Sequence, residues 1–320
     1  MTEPIRWGIL GASKFASEQM GPAIHEAKGA VLAGLATSSP DKAARFRAFA
    51  PGLTLYDSYD ALLAAPEIDA VYIPLPNHLH IEWSLKALAA GKPVLCEKPV
   101  ALEARQIDPL IAARDASGLL AAEAYMIAHH PQWHKTRALL AEGAIGDLVH
   151  VEGIFTYDNP DAANIRNRPE TGGGALPDIG VYPIGATRLA TGQEPTGLRA
   201  RIDWENGVDV TSRVEAEFPG FTLSALVSMR MAKRQEMTFH GTGGRLRLTA
   251  PFNAGTFGEA RIELINADGE CQIRFPDARQ YALQVEAFGN IIRTGAPYPW
   301  TLEDARGTQV VLDMALAASA

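Results

Sequence analysis

Three places in this 320-residue chain hold residue types that could do chemistry. The first is "WGILGASKFA", residues 7–16, an apolar strand running into a glycine turn and then a helix. A dinucleotide pyrophosphate needs that layout, with close backbone approach and N–H groups at a helix start, where the dipole favours anions. The three glycine positions of the G-x-G-x-x-G fingerprint hold Gly11, Ser13 and Ala16. Gly11 supplies the tight turn, Ser13 a hydroxyl able to donate to a phosphate oxygen, and Ala16 still permits close helix–strand packing. Alone, the stretch also fits any strand–turn–helix of an α/β protein. The second place is "ATSSPDK", where NAD-binding folds usually put an acidic residue on the ribose 2′-hydroxyl. Thr37, Ser38 and Ser39 stand there instead, with Lys42 and Arg45 close behind. Hydroxyls and a nearby cation accept a 2′-phosphate that a carboxylate repels, which favours NADP, with NAD the alternative. The third is a lysine and an Asp–Tyr pair. Lys98 precedes a proline at the end of "KPVLCEKP", while Asp178 and Tyr182 stand one helical turn apart in "DIGVY". The bland alternatives are a solvated lysine, an aspartate that caps a helix, and a core tyrosine.

The elements that must position these residues fall into two textures. Over the first 125 residues strand-like and helix-like segments alternate: "IRWGIL", "AVLAGLAT", "IDAVYIPLP", "KPVLCEKP" and "LLAAEAYM" read as strands with helical stretches between them. Pro109 should kink or divide the helix of "ALEARQIDPLIAARDASG". The alternation predicts a parallel sheet with helices on both faces, whose ligands lie beyond the carboxyl ends of the strands. From about residue 145 the segments become short, alternating and turn-bounded, from "LVHVEGIFTYD" to "CQIRFP", which predicts a largely antiparallel sheet. Helices are expected at 179–190, 281–294 and 302–318. The division expected is a dinucleotide-binding domain over 1–124, a substrate and oligomerisation domain over 125–300, and a C-terminal helix over 301–320.

The length suits two domains, and 47% hydrophobic with 21% charged residues describes a globular protein. A net charge of −8 argues against a nucleic-acid surface. The two cysteines, Cys96 and Cys271, have no metal-ligand spacing. The N-terminus "MTEPIRW" lacks the apolar core of a secretory signal, and no apolar run approaches the ~18 residues of a membrane helix. A cytoplasmic protein without nucleic-acid or membrane partners is expected.

"LCEKPVAL", residues 95–102, together with "GGGALPDIGVYPI", residues 172–184, resembles the Gfo/Idh/MocA family of NAD(P)-dependent oxidoreductases. The likeness is greatest to the branch holding glucose–fructose oxidoreductase, NADP-dependent xylose dehydrogenases and dimeric dihydrodiol dehydrogenase. It extends through "IPLPNHLH", "EAYM", "HGTGG" and "EDARGTQVVLDMA". The resemblance implies a Rossmann domain, then an α/β domain whose large open, mostly antiparallel sheet forms a homodimer or homotetramer, and a final helix packed back on the first domain. It implies Lys98, Asp178 and Tyr182 as catalytic residues, and no metal. The cofactor contacts expected are Gly11, Ala12, Ser13, Lys14, Phe15, Thr37, Ser38, Ser39, Lys42, Pro74, Leu75, Asn77, His80, Glu97 and Lys98. Substrate contacts are expected at Lys98, Tyr125, Arg166, Asp178 and Tyr182.

The chemistry agrees with that assignment. A tyrosine with an ordinary pKa of ~10 is a poor base unless a cation stabilises its phenolate, and a lysine ammonium does so. The same charge stabilises an alkoxide developing on a substrate. His129, His130 and His134 have no evident third ligand and are expected to be structural or at the substrate rim. The leading expectation is an NADP-dependent oxidoreductase acting on a sugar or polyol, most simply an aldose 1-dehydrogenase. The alternatives are a reductase of a dicarbonyl or keto sugar, a redox-assisted glycosidase, and a non-catalytic ligand sensor.

Overall fold

The computed structural model describes residues 3–318, which form two units. The first joins the chain up to Met126 with Gln280–Ala305. Its sheet is built from β1 (Ile5–Leu10), β2 (Ala30–Ala36), β3 (Thr54–Tyr56), β4 (Ala70–Ile73), β5 (Val94–Cys96) and β6 (Ala121–Glu123). All neighbours run parallel, in the order β3-β2-β1-β4-β5-β6. The helices are α1 (Gly21–Glu26), α2 (Pro40–Arg47), α3 (Tyr59–Ala64), α4 (His80–Ala89) and α5 (Asp108–Ser117). Strands β4 and β5 are buried along their whole length, as parallel strands covered on both faces are. Val71, Ile73, Val94 and Cys96 enter one core with Leu88 of α4 and Leu110 of α5. The chain leaves β1 for β2 and β3 on one side and builds β4 to β6 on the other. The crevice beyond the carboxyl ends of β1 and β4 is therefore the switch point where such sheets bind ligands.

The second unit comprises Ile127–Arg279 and the chain from Arg306 onward. It contains α6 (Pro131–Ala141), α7 (Val181–Thr191) and eight strands: β7 (Leu148–Asp158), β8 (Gly197–Glu205), β9 (Val208–Phe218), β10 (Phe221–Ser228), β11 (Arg230–Gly241), β12 (Gly244–Leu248), β13 (Ala260–Asn266) and β14 (Gly269–Phe275). Their order is β14-β13-β12-β11-β7-β10-β9-β8, antiparallel except that β10 runs parallel to β7. Val214, Ala216 and Phe218 of β9 are buried while Arg213, Glu215 and Glu217 between them are exposed, the alternation of a sheet with one wet face. On the dry face α7 lies close against β7: a Cβ on Gly153 would meet Cβ of Pro183 at 2.6 Å.

The last two helices differ from the sequence-based division. Helix α8 (Gln280–Thr294), expected in the second domain, belongs to the first unit. Phe288 packs on Trp7 with ring centroids 5.1 Å apart, and Arg293 donates to the Gly29 carbonyl at 2.7 Å. Helix α9 (Leu302–Ala318) was expected to pack back on the first domain, yet only its first turn does, through Leu302 and Ala305. From Arg306 it belongs to the second unit, where Arg188 of α7 donates to Thr308 at 2.6 Å. Gly307 makes this possible, since a Cβ there would collide with the Arg188 guanidinium. Three elements had no reading in the sequence. Strand β3 and helix α3 are too short to show a period, and α6 carries His134 and Lys135 within its apolar pattern. Pro109 sits in the first turn of α5, and the stretch before it forms a separate turn, Ala104–Gln106. Among the described residues no helix is long and apolar enough to cross a membrane.

Candidate active site

At the carboxyl end of β1, Gly11 has φ +95°, and its N–H donates to the Ala36 carbonyl at 3.0 Å. A Cβ at Gly11 would meet the Leu75 side chain at 2.9 Å and the Tyr59 hydroxyl at 3.3 Å. Both the conformation and the close approach therefore require glycine. The Ser13 hydroxyl accepts from the Ala16 N–H at 3.0 Å at the start of the helical run after β1, leaving its proton to donate elsewhere. Ala12 is half-buried beside it, Lys14 is 78% exposed with Glu18 at 3.8 Å, and Phe15 meets Tyr281 edge-on at 5.5 Å. Beyond β2, Thr37 accepts from the Ser39 N–H at 3.2 Å and Ser39 accepts from the Lys42 N–H at 3.3 Å. Ser39 is thus the N-cap of α2, and exposed Ser38 and Lys42 flank it. A glycine cradle, a capped helical start and hydroxyls at the end of β2 fit a phosphorylated dinucleotide.

The loop after β5 carries Lys98, and three consecutive residues of its backbone are held by ionisable side chains. The Lys98 N–H donates to Glu97 Oε2 at 3.3 Å, the Pro99 carbonyl contacts His80 Nδ1 at 2.8 Å, and the Val100 N–H donates to Glu123 Oε1 at 3.0 Å. Glu97 also accepts from the Tyr72 hydroxyl at 2.5 Å. Burial pushes the Glu97 carboxyl up, opposed first by the neighbouring Lys98 ammonium and then by the Tyr72 hydrogen bond. The second oxygen of Glu123 accepts from the Trp300 indole at 2.9 Å, and Trp300 stacks on Tyr125 with centroids 4.4 Å apart.

Two expected ligand contacts are corrected by this packing. His80 is 0% exposed, and its other nitrogen contacts the Leu75 carbonyl at 2.7 Å. It braces the segments around Leu75 and Pro99 from behind and has no surface to offer a cofactor. Burial lowers its pKa to about 4. Tyr125, expected to touch substrate, is 1% exposed and packs in the core. Pro74 and Leu75 are buried, whereas Asn77 is half-buried at the start of the turn Asn77–Leu79.

In the second unit the sequence brings Arg166, Asp178 and Tyr182 together, and the structure adds Tyr157. Asp178 Oδ1 pairs with Arg166 Nε at 2.9 Å, while Oδ2 accepts from the Tyr157 hydroxyl at 2.6 Å. The Asp178 carboxylate is the first cause holding the Arg166 guanidinium charged, and a phenolate charge on Tyr157 or Tyr182 would act on it in the same direction. Burial, followed by the charge of Asp178, drives the Tyr157 phenol far above its ordinary value. Tyr182 is 5% exposed; its ring packs on Phe155 and Phe252, with centroids 5.5 and 5.3 Å away. Asp178 is therefore no simple helix cap, because its carboxylate belongs to a cluster of two donors.

His130 and His134 each hold local backbone. His130 accepts from the Gln132 N–H at 3.0 Å as the N-cap of α6, and His134 contacts the Ala128 carbonyl at 2.9 Å. Burial lowers the pKa of His129 to about 3 and of His130 to about 4. Among the described residues no three His, Cys, Asp or Glu side chains are grouped to hold a metal.

Glu123, Tyr157, Asp209 and Trp300 had no role in the sequence reading. For Glu123 a signal existed: "AAEAY" places a carboxylate inside an apolar strand, where it requires partners; Asp209, in "VDVTSRVEAEF", shares the alternation of Arg213, Glu215 and Glu217 and gave none.

Residues 5–125 match the model of an oxidoreductase family with an NAD-binding Rossmann fold, and residues 133–247 match the GFO/IDH/MocA C-terminal domain. The chain is 41% identical over 319 residues to the uncharacterized oxidoreductase ORF334 of Rhizobium meliloti, covering 97% of this chain and 95% of that one. It is 33% identical to the dTDP-3,4-didehydro-2,6-dideoxy-alpha-D-glucose 3-reductase of Actinomadura kijaniata, with 96% and 94% covered. The crystal structure of KijD10, a 3-ketoreductase from Actinomadura kijaniata in complex with NADP and TDP-benzene, superposes with a TM-score of 0.90 at 32% identity, covering 99% of this chain and 98% of that one. Matching both family models in sequence order, with relatives aligned over nearly its whole length, the chain belongs to the Gfo/Idh/MocA family of NAD(P)-dependent oxidoreductases.

Proposed function

We propose that this oxidoreductase uses NADP to interconvert a carbonyl and a hydroxyl on a sugar, with reduction of a keto sugar as its working direction. The observation that carries the reading is the cluster of Tyr182 and Tyr157 around the Arg166–Asp178 ion pair. It combines a proton-active phenol with a fixed cation and a carboxylate able to accept from sugar hydroxyls. The reductase relative and its NADP-bound neighbour support the substrate class and the cofactor.

When bound, the nicotinamide would supply or take up the hydride at the sugar carbon. Tyr182 gives its phenolic proton to the developing alkoxide in reduction and takes one in oxidation. The positive charge of Arg166 favours the phenolate that donation leaves behind. Lys98 supplies a second positive charge that stabilises the alkoxide. Asp178 is held as a carboxylate by Arg166 and Tyr157, so it orients a hydroxyl and is not the base. The end of β2 suits a 2′-phosphate because Thr37, Ser38 and Ser39 replace the usual acid. We propose self-association, as a homodimer or homotetramer, through the open face of the eight-stranded sheet.

The test follows NADPH oxidation with keto sugars, free and nucleotide-linked, and NADP reduction with aldoses. Turnover confined to aldoses would make the enzyme a 1-dehydrogenase; tight NADP binding with no turnover would make it a sensor. K98A and Y182F should each lower kcat by about 10²–10⁴ with NADP affinity nearly unchanged. The double variant should lose little more than the worse single one if both residues serve one step. Fully multiplicative losses would refute a shared step.

A further inference from the structure

We propose that Asp209 is a positioning residue for Asp178 and Tyr182: its buried carboxyl group fixes the start of the helical run that carries both. This inference rests on the catalytic reading of those two residues.

Asp209 lies at the beginning of β9 and is 2% exposed. Its Oδ2 accepts the Leu176 N–H at 2.7 Å and the Ser212 hydroxyl at 3.0 Å, and the Ala175 N–H adds a further hydrogen bond. Ala175 and Leu176 open the run Leu176–Gly180, which continues without a break into α7. The N–H groups at a helix start lack intrahelical partners, and a side-chain carboxyl oxygen there satisfies them. Asp209 performs that role from 33 residues away in sequence, counted from Leu176.

The glycine run before the helix explains how a strand carboxyl group reaches this position. Gly174 has φ +132°, and a Cβ there would collide with Asp209 Oδ1. A Cβ on Gly173 would stand 2.5 Å from the Arg166 carbonyl oxygen, to which the Gly174 N–H donates at 2.9 Å. The two glycines thus let the Asp209 carboxyl group and the Arg166 backbone close in on the same helix start. The Asp178 N–H then donates to the Gly174 carbonyl at 3.2 Å.

Shifting that start moves the Tyr182 hydroxyl, and misplacement by about 1 Å costs of order 10²-fold in rate. We would measure kcat, KM for the sugar and NADP affinity for D209A, D209N and G174A, with circular dichroism to confirm folding and Y182F as control. D209N keeps one acceptor oxygen for the Leu176 N–H, so it should lose about tenfold in kcat and D209A about a hundredfold. NADP affinity should stay within about twofold in both. G174A, which leaves the acid in place but crowds it, should lower kcat in the same way. If D209A does not fold, D209N and G174A decide. Folded variants with wild-type kcat would overturn the proposal, as would equal losses of kcat and NADP affinity. Should Y182F also keep full kcat, the catalytic reading itself fails, an outcome distinct from wild-type kcat in the Asp209 variants alone.

Discussion

Asp209 holds its helix at a cost in stability, and the cost has a definite pH signature. Burial raises its carboxyl from an ordinary value of 3.8 to about 7, only partly offset by the Leu176 N–H and the Ser212 hydroxyl. Between those two values the unfolded chain has released this proton while the folded chain retains it. Folding is therefore penalised progressively as pH rises through the window and by a constant amount above it. Each pH unit is worth about 1.4 kcal/mol, so from pH 5 to pH 8 this one group removes about 3 kcal/mol of stability.

The D209N variant carries a neutral amide of the same shape in place of the carboxyl, so it lacks the slope. Urea titrations of both proteins at pH 5, 6, 7 and 8 give the stability difference at each pH. Subtracting one curve from the other cancels His80, His129 and His130, whose lowered values make stability rise with pH between about 4 and 6.5. It also cancels Glu97, whose raised value acts in the same sense as that of Asp209. The mutant should gain on the wild type by about 3 kcal/mol across that range, even as its kcat falls. Parallel pH dependences would refute the reasoning and mean that the folded carboxylate titrates in its ordinary range.

Other perturbations have equally definite outcomes. W300F removes the indole donor from buried Glu123 while keeping a ring against Tyr125, so urea unfolding should show a loss of about 1–3 kcal/mol. Its kcat should fall with NADP affinity retained, because the Glu123 side chain holds the Val100 N–H just beyond Lys98. G11A forces a Cβ into Leu75 at a positive φ, so calorimetry should show NADP affinity reduced more than tenfold, roughly 1.4 kcal/mol or more. Imidazole resonances of His129 and His130 should show no protonation above about pH 5, and stability should fall as pH drops from about 6.5 toward 4. Titration of either ring near 6.5 would show that the burial holding it neutral is absent.

What could be read from the sequence divides along a physical line. All eight strands of the second sheet were legible because each is a short, turn-bounded run of strand-forming residues, and β9 and β10 add the period of two that one wet face imposes. The turn at Gly11 and the Asp178–Tyr182 spacing were legible for the same reason, since both are local constraints. Strand order, the placement of α8 and the split of α9 were not, because chain order does not encode which surface an apolar helix covers. His80 and Tyr125 show a related limit. Both sit inside motif segments, yet a motif marks where the backbone runs and not which way each side chain faces, and these two face inward. The anchors of the site lie further from view. Glu123 meets Trp300 across 177 residues and Asp209 meets Leu176 across 33, separations that leave no periodic trace. Glu123 leaves a trace as the one carboxylate of an otherwise apolar buried strand, whereas Asp209, in a strand that also carries Glu215 and Glu217, leaves none. A buried acid is retained only where donors converge on it. In both cases the donors are backbone N–H groups beside the residues that motif reading had already picked out, Val100 after Lys98 and Leu176 before Asp178. Glu123 and Asp209 thus brace two motif segments from behind, and only the fold shows these contacts.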